Sequence, residues 1–283
     1  MNSTAFTIRP MRRGEVDIAV AWAALEGWNP GQHDALCYAA ADPGGFLIGL
    51  LGDEPIATIS AVRYDETFGF IGYYIVKPEY RGMGYGIQIW NAALAYLEGC
   101  NIGLDGVVEQ QANYQKSGFQ LAYSHLRYEG RGYGPAEPDA AIVPLSTLPF
   151  ETLVAYEHPF FPSPRIAFLK AWTRQPNSTA LGILAQGQLA GYGVIRPCLG
   201  GYKIGPLYAE SAELGERLFL ALASQATATE AVFLDVPAVH SAAVALAEKY
   251  GMTVSFGTAR MYTQFEPELP LDRIFGVTSF EIG

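Results

Sequence analysis

The sequence has little of what a disulfide-bonded, metal-binding, membrane-spanning or nucleic-acid-binding protein needs. Its three cysteines, Cys37, Cys100 and Cys198, lie too far apart for a metal-ligand spacing or a disulfide framework. Basic residues are few, with 18 Lys and Arg against 28 Asp and Glu, which disfavours a nucleic-acid partner. No apolar run approaches the roughly 20 residues that cross a bilayer. These absences favour a soluble, cytoplasmic protein that has no metal and binds neither membrane nor nucleic acid.

Apolar residues, in contrast, are sufficient for two packed cores, because 50% of the residues are hydrophobic and 13% are aromatic. A length of 283 residues fits about two domains of roughly 150 residues each. Three pairs of landmarks share one offset of about 134 residues: Pro10 with Pro144, Gly52 with Gly187, and Gly118 with Gly251. One offset kept over that distance predicts two copies of a single structural unit.

The boundary between the copies lies in a segment rich in Gly and Pro, from Glu129 to Pro138. We therefore predict a first domain over 1–130, a linker over 131–139, a second domain over 140–265 and a tail over 266–283. The tail is apolar for a chain end, so we expect it to dock against the rest of the protein.

Within the first copy, the apolar pattern alternates between periods typical of strands and of helices. Strands are predicted over 6–11, 46–51, 55–63, 69–76, 102–107 and 119–128, and helices over 16–25, 34–40 and 87–97. The strand 119–128 is expected to close the first unit. The second copy follows the same order. The predicted fold class is α+β, with two tandem units that each contain a mostly antiparallel mixed sheet flanked by helices.

The clearest motif runs from Val76 to Gly86, with the sequence VKPEYRGMGYG, between an apolar strand and an amphipathic helix. Glycines let the backbone approach an anion, the first N–H groups of the helix point at it, and Arg81 adds a positive charge. The motif predicts a phosphate or diphosphate site, against the alternative of a glycine-rich turn that only begins a helix. A dinucleotide site fits less well, because the preceding strands have the pattern of an antiparallel meander.

The spacing Arg81-x-x-Gly84-x-Gly86 resembles the acyl-CoA signature of the GNAT acyltransferase superfamily. The segment 109–119, with the sequence EQQANYQKSGF, resembles the second signature of that family, in which a Tyr precedes a Gly-Phe pair by four residues. The chain departs from the pattern at Val107, where many members carry Asn. The resemblance implies a GNAT fold and acetyl-CoA as the acyl donor. It assigns the donor site to Tyr74, Ile75, Val76, Arg81, Gly82, Met83, Gly84, Tyr85, Gly86, Asn113 and Lys116.

The resemblance also implies how the reaction proceeds, by direct attack of an amine on the thioester in a ternary complex. The main chain around Ile75 and Val76 would position the thioester. Tyr114 would protonate the departing thiolate, since the ordinary pKa of Tyr near 10 is close to that of a thiol, about 8.5. Glu26, which lies beside Trp28 at the end of the first helical region, is the predicted base.

The identity of the base stays open from the sequence alone. Other carboxylates of the first copy are Asp65, Glu66 and Glu109, and a chain of water molecules would serve as well. The carboxylate of Gly283, at the end of the apolar tail, is a further candidate.

The second copy has lost both signatures and is predicted to be non-catalytic. The matching junction, Gly205 to Gly215, has no basic residue, and Glu210 and Glu213 stand where a diphosphate would bind. Ala247 stands at the position of Tyr114. The aromatic segments 160–165 and 201–208 are expected to be rigid loops that either line the acceptor cleft or pack between the two copies.

The sequence thus predicts an acetyl-CoA-dependent N-acetyltransferase that acts on a small, cationic or aromatic amine, as a monomer or a homodimer. An alternative is a regulatory or sensor module that binds acyl-CoA without turnover, although such a module needs no acid at Tyr114. A structural protein with a vestigial loop is a third reading, which the intact Arg81, Gly84 and Gly86 disfavour. The sequence names neither the amine nor the acyl length.

Overall fold

A computed structural model describes residues 5–134 and 137–283 of the chain. Its first half contains the strands β1 (Phe6–Pro10), β2 (Phe46–Leu51), β3 (Glu54–Arg63), β4 (Phe68–Val76), β5 (Asn101–Val107) and β6 (Gln120–Arg131). The helices of this half are α1 (Val16–Leu25), α2 (Asp34–Ala41), α3 (Tyr85–Tyr96) and α4 (Gln111–Lys116).

The second half repeats this order of elements. Its strands are β7 (Ile142–Pro144), β8 (Thr179–Ala185), β9 (Gln188–Cys198), β10 (Gly201–Ala209), β11 (Ala231–Pro237), β12 (Thr253–Tyr262) and β13 (Ile274–Gly276). Its helices are α5 (Phe150–Glu157), α6 (Ile166–Trp172), α7 (Ala212–Ala223) and α8 (Ser241–Lys249). The predicted α+β class and its tandem organisation are confirmed. Among the helices of the described residues, none has the length and apolar character needed to span a membrane.

The two copies exchange their last long strands. The strand order is β1-β2-β3-β4-β5-β12-β6-β11-β10-β9-β8-β7, with β13 beside β10. The first copy's β6 pairs with β11, and the second copy's β12 pairs with β5. The strand predicted to close the first unit therefore completes the sheet of the second unit. The exchange joins two sheets into one and leaves no unpaired edge at the junction.

Strand β4 separates two cores of the first copy. On one face, Val16 and Ala19 of α1 and Tyr38 of α2 pack with Tyr73 and Ile75. On the other face, helix α3 packs its buried residues, Ile89, Trp90 and Ala93, against Ile71 of β4. The side chains of Tyr74 and Val76 also pack on this second face. The side chains of β4 therefore switch faces of the sheet between Ile71 and Tyr74, as they do at a β-bulge.

The C-terminal tail is buried throughout residues 274–283. Its end is fixed by hydrogen bonds from Tyr64 Oη to the main-chain oxygen of Ile282 (2.6 Å) and from Arg165 Nη1 to that of Gly283 (3.0 Å). Gly72 makes this possible, because a Cβ atom at that position would overlap the main-chain oxygen of Glu281. The tail therefore lies directly against β4.

Candidate active site

A cleft opens in the first copy where two parallel strands diverge. Strands β4 and β5 pair from Phe68 with Asn101 to Ile71 with Leu104, and the pairing ends there. Tyr73, two residues farther along β4, has a φ of 48°, and the register of β4 against β3 shifts at this point. The bulge turns the end of β4 away from β5. The resulting cavity has a volume of about 570 Å³.

One end of the cleft is the glycine-rich turn that begins α3. Gly82 and Gly84 have φ values of 77° and 83°, a conformation that favours glycine strongly. Gly84 is the N-cap of α3 and no side chain caps the helix, so its first N–H groups are free to bind an anion. Gly86 lets Tyr74 come close, since a Cβ atom there would lie 2.6 Å from Tyr74 Oη. This local geometry is what the motif predicts.

Arg81 and Glu26, which the sequence assigns to different tasks, form an ion pair with each other. Arg81 Nε also donates to the main-chain oxygen of Val76 (2.8 Å), which fixes the guanidinium at the mouth of the cleft. The two side chains stay partly exposed, at 49% for Arg81 and 32% for Glu26. The carboxylate of Glu26 thus pairs with the same guanidinium group that would bind a diphosphate.

Tyr114 lies deeper in the cleft, on α4. Its ring stacks on Trp90, with centroids 5.6 Å apart, and it lies against Gly106 of β5, where a Cβ atom would overlap the ring. Burial, reinforced by Tyr74, raises the pKa of Tyr114 to about 12. The phenol therefore keeps its proton at physiological pH and is able to donate it.

The structure brings most of the predicted site residues together. The lining residues include Glu26, Tyr74, Ile75, Val76, Arg81, Gly82, Gly84, Gly86 and Tyr114. Four others lie outside the lining: Met83, Tyr85, Asn113 and Lys116. Met83 is 63% exposed, and Tyr85 packs on Phe6 with centroids 4.8 Å apart. Asn113 and Lys116 lie on the exposed side of α4 and bond to each other (3.1 Å).

The opposite end of the cleft is built from residues that the sequence analysis did not assign. Asp105 comes from β5, Arg127 from β6, Phe256 and Thr258 from β12, and Phe280 and Glu281 from the tail. Trp28 completes this wall. No local motif marks these positions, because they meet only through the strand exchange and the docking of the tail.

Two of the charges in this wall are neutralised by buried partners. Arg127 donates to both oxygens of Asp235, at 2.6 and 2.8 Å, and to the main-chain oxygen of Trp28 (2.8 Å). Asp105 accepts from Arg260 (2.6 Å) and pairs with His125 Nδ1 (2.8 Å). Burial by itself would raise the pKa of Asp105, but Arg260 and His125 outweigh it and lower the pKa to about 2. Arg127, Asp235, Asp105 and Arg260 therefore stay ionised at neutral pH, whereas burial lowers the pKa of His125.

In the described part of the second copy, the corresponding gap between two parallel strands is filled. There β10 and β11 pair in parallel from Tyr202 with Val232 to Ile204 with Leu234. Beyond that point β13 pairs with β10, and Val277 N donates to the main-chain oxygen of Asp235 (2.8 Å). The chain's own tail thus fills the gap that is open in the first copy.

The start of α7 also differs from that of α3. The side chain of Ser211 caps α7 by accepting from Leu214 N (3.3 Å). Glu210 pairs with Arg273, and Ala247 is buried inside α8. At the positions that correspond to the start of α3 and to Tyr114, the second copy therefore has a capped helix and a buried alanine.

The two aromatic segments do not line the cleft, so of the two interpretations the cleft wall is wrong and packing is what the structure shows. Residues 201–208 belong to β10, in the middle of the second sheet. Phe160, Phe161 and Arg165 are buried against the tail and β10. Their aromatic content reflects packing, and the side of the cleft away from the glycine turn is lined by residues of β12 and of the tail. The Gly283 carboxylate likewise lies outside the lining, where it is bound by Arg165.

Comparisons with known proteins agree with this geometry. Residues 15–119 match the model of the acetyltransferase (GNAT) family, and residues 153–276 match that of an acetyltransferase (GNAT) domain. The chain is 29% identical to a holothin acyltransferase from Pseudoalteromonas sp. (strain SANK 73390), over 98% of this chain and 95% of that protein.

Solved structures show the same fold. A proposed acetyltransferase from Pyrococcus horikoshii superimposes with a TM-score of 0.82 at 22% identity, covering 100% of this chain and 97% of the other. A tandem GNAT protein from the clavulanic acid biosynthesis pathway gives a TM-score of 0.63 at 13% identity, over 93% and 100% of the two chains. Two GNAT models together match more than half of the residues, and both halves have the corresponding fold. The chain is therefore a tandem member of the GNAT superfamily of acyl-CoA-dependent N-acyltransferases.

Proposed function

We propose that the first copy transfers an acetyl group from acetyl-CoA to a small, cationic or aromatic amine, and that the second copy is non-catalytic. The observation that carries this proposal is the position of Tyr114. Its phenol is held by Trp90 and Gly106 in the same cleft that has the free start of α3 and Arg81 at its mouth. A site that only bound acyl-CoA would not need a protonated phenol there.

The donor would lie along the cleft from the mouth to the bulge. The N–H groups at the start of α3 and Arg81 bind the diphosphate, and the diverging main chain of β4 holds the pantetheine arm and the thioester. The nitrogen lone pair of the neutral amine attacks the carbonyl carbon, the C–N bond forms, and the C–S bond breaks. Tyr114 gives its proton to the thiolate and regains one from the nitrogen of the new amide. The proton lost beforehand by the ammonium goes to a base.

The acceptor wall supports an aromatic or cationic amine. Trp28, Phe256 and Phe280 supply apolar faces, and the basic residue of the wall, Arg127, is already paired with Asp235. The relative from Pseudoalteromonas is named for acyl transfer to holothin, which makes holothin a useful member of an acceptor panel.

The donor site is tested by replacing Arg81 with Glu. We expect acetyl-CoA binding to weaken by about 10- to 100-fold, because a charge-assisted hydrogen bond worth about 1.5–3 kcal/mol is lost. Isothermal titration calorimetry with acetyl-CoA measures this directly. Lys170→Glu is the matched control, since it reverses the charge of an exposed residue of α6 away from the cleft.

A wild-type protein that fails to bind acetyl-CoA would contradict the proposal. Binding followed by release of the CoA thiol with members of an amine panel would support it. Binding without thiol release from any amine would favour the alternative of a non-catalytic acyl-CoA sensor.

Glu26 is the base predicted from the sequence, and replacing it with Gln tests that prediction. Because Glu26 pairs with Arg81, we expect Glu26→Gln to strengthen acetyl-CoA binding by about two- to fivefold, the range of one exposed ion pair. Glu79→Gln, at an exposed position of the same turn, is the control.

Steady-state rates of Glu26→Gln test whether Glu26 acts as the base. A fall in kcat at neutral pH would identify Glu26 as the base. An unchanged kcat would indicate that another carboxylate of the cleft takes the proton from the acceptor.

A further inference from the structure

The acceptor end of the cleft contains a carboxylate that the sequence gives no reason to single out, Glu281. It lies two residues before the chain end and is 5% exposed, yet it lines the cleft. Its main-chain oxygen lies against Gly72, one residue before the bulge at Tyr73. The tail therefore holds Glu281 where β4 turns away from β5.

Contacts of the following main chain and contacts of the carboxylate itself hold Glu281 in position. The tail is anchored after it by the hydrogen bonds that Tyr64 and Arg165 make to Ile282 and Gly283. The carboxylate accepts from the hydroxyl of Ser279 and from Tyr38 Oη, at 3.5 Å. These contacts orient the carboxylate with neutral donors only.

Among the carboxylates that line the cleft, Glu281 differs in its partners. Glu26 pairs with Arg81, and Asp105 pairs with Arg260. Within the described ranges, no Lys, Arg or His nitrogen lies within 4.0 Å of the Glu281 carboxylate. A buried carboxylate without a counter-ion is costly, so a cationic ligand at this point would gain more than at a paired one.

The charged groups around Glu281 come from several elements. Arg127 of β6 is paired with Asp235 of β11, and Arg196 of β9 is paired with Asp34 of α2. Each of these pairs is neutral as a unit.

The remaining cation near Glu281 is Lys203 of β10. Burial and the neighbouring Arg127 lower the pKa of Lys203. Lys203 thus holds its proton less firmly than an exposed lysine and is a weak counter-ion. The phenols of Tyr38 and Tyr73 also face the Glu281 carboxylate, and burial raises the pKa of both, so that they stay neutral.

Two buried hydroxyl groups of the same cleft have no hydrogen-bond partner among the residues that the structure describes. Tyr73 Oη and Thr258 Oγ1 are buried, with 1% and 2% of each residue exposed, and both residues line the cleft. Buried polar atoms are nearly always paired, so orphaned hydroxyls in a cleft indicate the place of a polar ligand. An ammonium group has three N–H donors. Glu281, Tyr73 and Thr258 provide three oxygen acceptors.

We propose that Glu281, with the hydroxyls of Tyr73 and Thr258, forms the acceptor subsite, which binds a primary ammonium group and takes one proton from it. This inference rests on the proposed acetyl transfer and specifies its acceptor class as a primary amine. The ammonium N–H bond breaks, its electron pair stays on nitrogen, and the proton moves to the Glu281 carboxylate. The neutral amine then attacks the thioester, and the proton leaves from Glu281 to solvent after the product departs.

The test compares Glu281→Gln with Glu281→Asp and with Glu266→Gln, which removes an exposed carboxylate from the same tail. For a primary amine that the wild type acetylates, we expect Glu281→Gln to lower kcat/KM at pH 7 by about 10²- to 10³-fold. The loss should shrink as the pH rises toward the pKa of the amine, because free amine needs no base. Glu281→Asp should restore part of the rate, Glu266→Gln should match the wild type, and acetyl-CoA affinity should change less than twofold in all three.

A rate loss of the same size at every pH, accompanied by weaker acetyl-CoA binding, would overturn the proposal, because it would indicate a displaced tail. A kcat/KM of Glu281→Gln equal to that of the wild type would overturn it as well.

A binding measurement separates this inference from the proposed function. In the presence of CoA, calorimetry at pH 7 should show that the wild type binds 2-phenylethylamine at least tenfold more tightly than the neutral 2-phenylethanol. Glu281→Gln should abolish that preference. Binding of the amine without any transfer would overturn the acetyltransferase proposal and leave the subsite standing. Equal binding of the two compounds, or binding of neither, would overturn the subsite.

Discussion

Replacing Tyr114 with Phe is expected to lower kcat by about 10²- to 10⁴-fold, the usual contribution of a positioned acid. The phenol is the one group inside the donor end of the cleft that the proposed reaction requires to give up a proton. Phe keeps the ring that stacks on Trp90 and fills the space beside Gly106. The variant should therefore fold normally and bind acetyl-CoA with unchanged affinity. Thiol release under saturating substrates measures kcat, and calorimetry measures binding.

The control for this variant is Tyr202→Phe, which removes a phenol from β10 of the second copy, outside the cleft. It should leave kcat unchanged. Since the pKa of Tyr114 is raised to about 12, the wild-type rate should show no loss from titration of this phenol below about pH 11. A Tyr114→Phe protein with kcat within threefold of the wild type would contradict the assignment.

Replacing Arg165 with Met is expected to destabilise the protein by about 3–5 kcal/mol, because it leaves a buried carboxylate unpaired. Arg165 is buried, pairs with Glu157 (2.6 Å), and bonds to Thr278 Oγ1 (2.8 Å) and to the main-chain oxygen of Gly283 (3.0 Å). It therefore holds the tail as well as the charge of Glu157. Urea denaturation followed by circular dichroism measures the loss in the free energy of unfolding.

The pH dependence of that loss follows from Glu157. Burial raises the pKa of this carboxyl, and Arg165 partly opposes the rise. Without Arg165 the pKa in the folded state rises further above the unfolded value near 4.3, so the folded state favours the protonated acid. The penalty should be full at pH 7.5 and should decrease as the pH falls toward 4.5.

A double variant provides the internal check. Adding Glu157→Gln to Arg165→Met removes the stranded charge and should recover a large part of the lost stability at pH 7.5. If the double variant were no more stable than the single one, the loss would come from the contacts of Arg165 with the tail. In that case the decrease of the penalty at low pH would also be absent.

The second copy contributes a strand and side chains to the cleft of the first copy. It supplies β12, which pairs with β5 along the cleft and contributes Phe256 and Thr258 to the acceptor wall. Its own opening between β10 and β11 is filled by β13, and the tail continues from there to Glu281. A truncated first copy would lose both the partner strand of β5 and the acceptor wall.

The local part of the donor site was predictable from the sequence. The glycine turn at Gly82 and Gly84, the start of α3 and the spacing from Tyr114 to Gly118 depend on backbone conformation within a few residues. The strands and helices of the first copy also follow from apolar periodicity, and the bounds differ by only a few residues. The sequence assigned Met83, Tyr85, Asn113 and Lys116 to the donor site from the motif alone, and these four residues lie outside the lining of the cleft.

The residues of the proposed acceptor side could not be predicted from the sequence. Nothing in the sequence of β6 or of β12 indicates that these strands exchange places between the two sheets. The segments 160–165 and 201–208 have an aromatic content that suits a cleft wall and a core equally well, and only the packing places them in the core.

By itself, the sequence determined the tandem α+β repeat, the free start of α3 with Arg81, the four-residue spacing from Tyr114 to Gly118 and the loss of both signatures in the second copy. The tertiary structure alone decided the ion pair of Arg81 with Glu26, the filling of the second cleft by β13 and the position of Glu281. The physical reason is sequence separation. A turn or a helix start is fixed by neighbouring residues, while a strand partner or a docked tail is chosen among distant surfaces by shape, burial and charge.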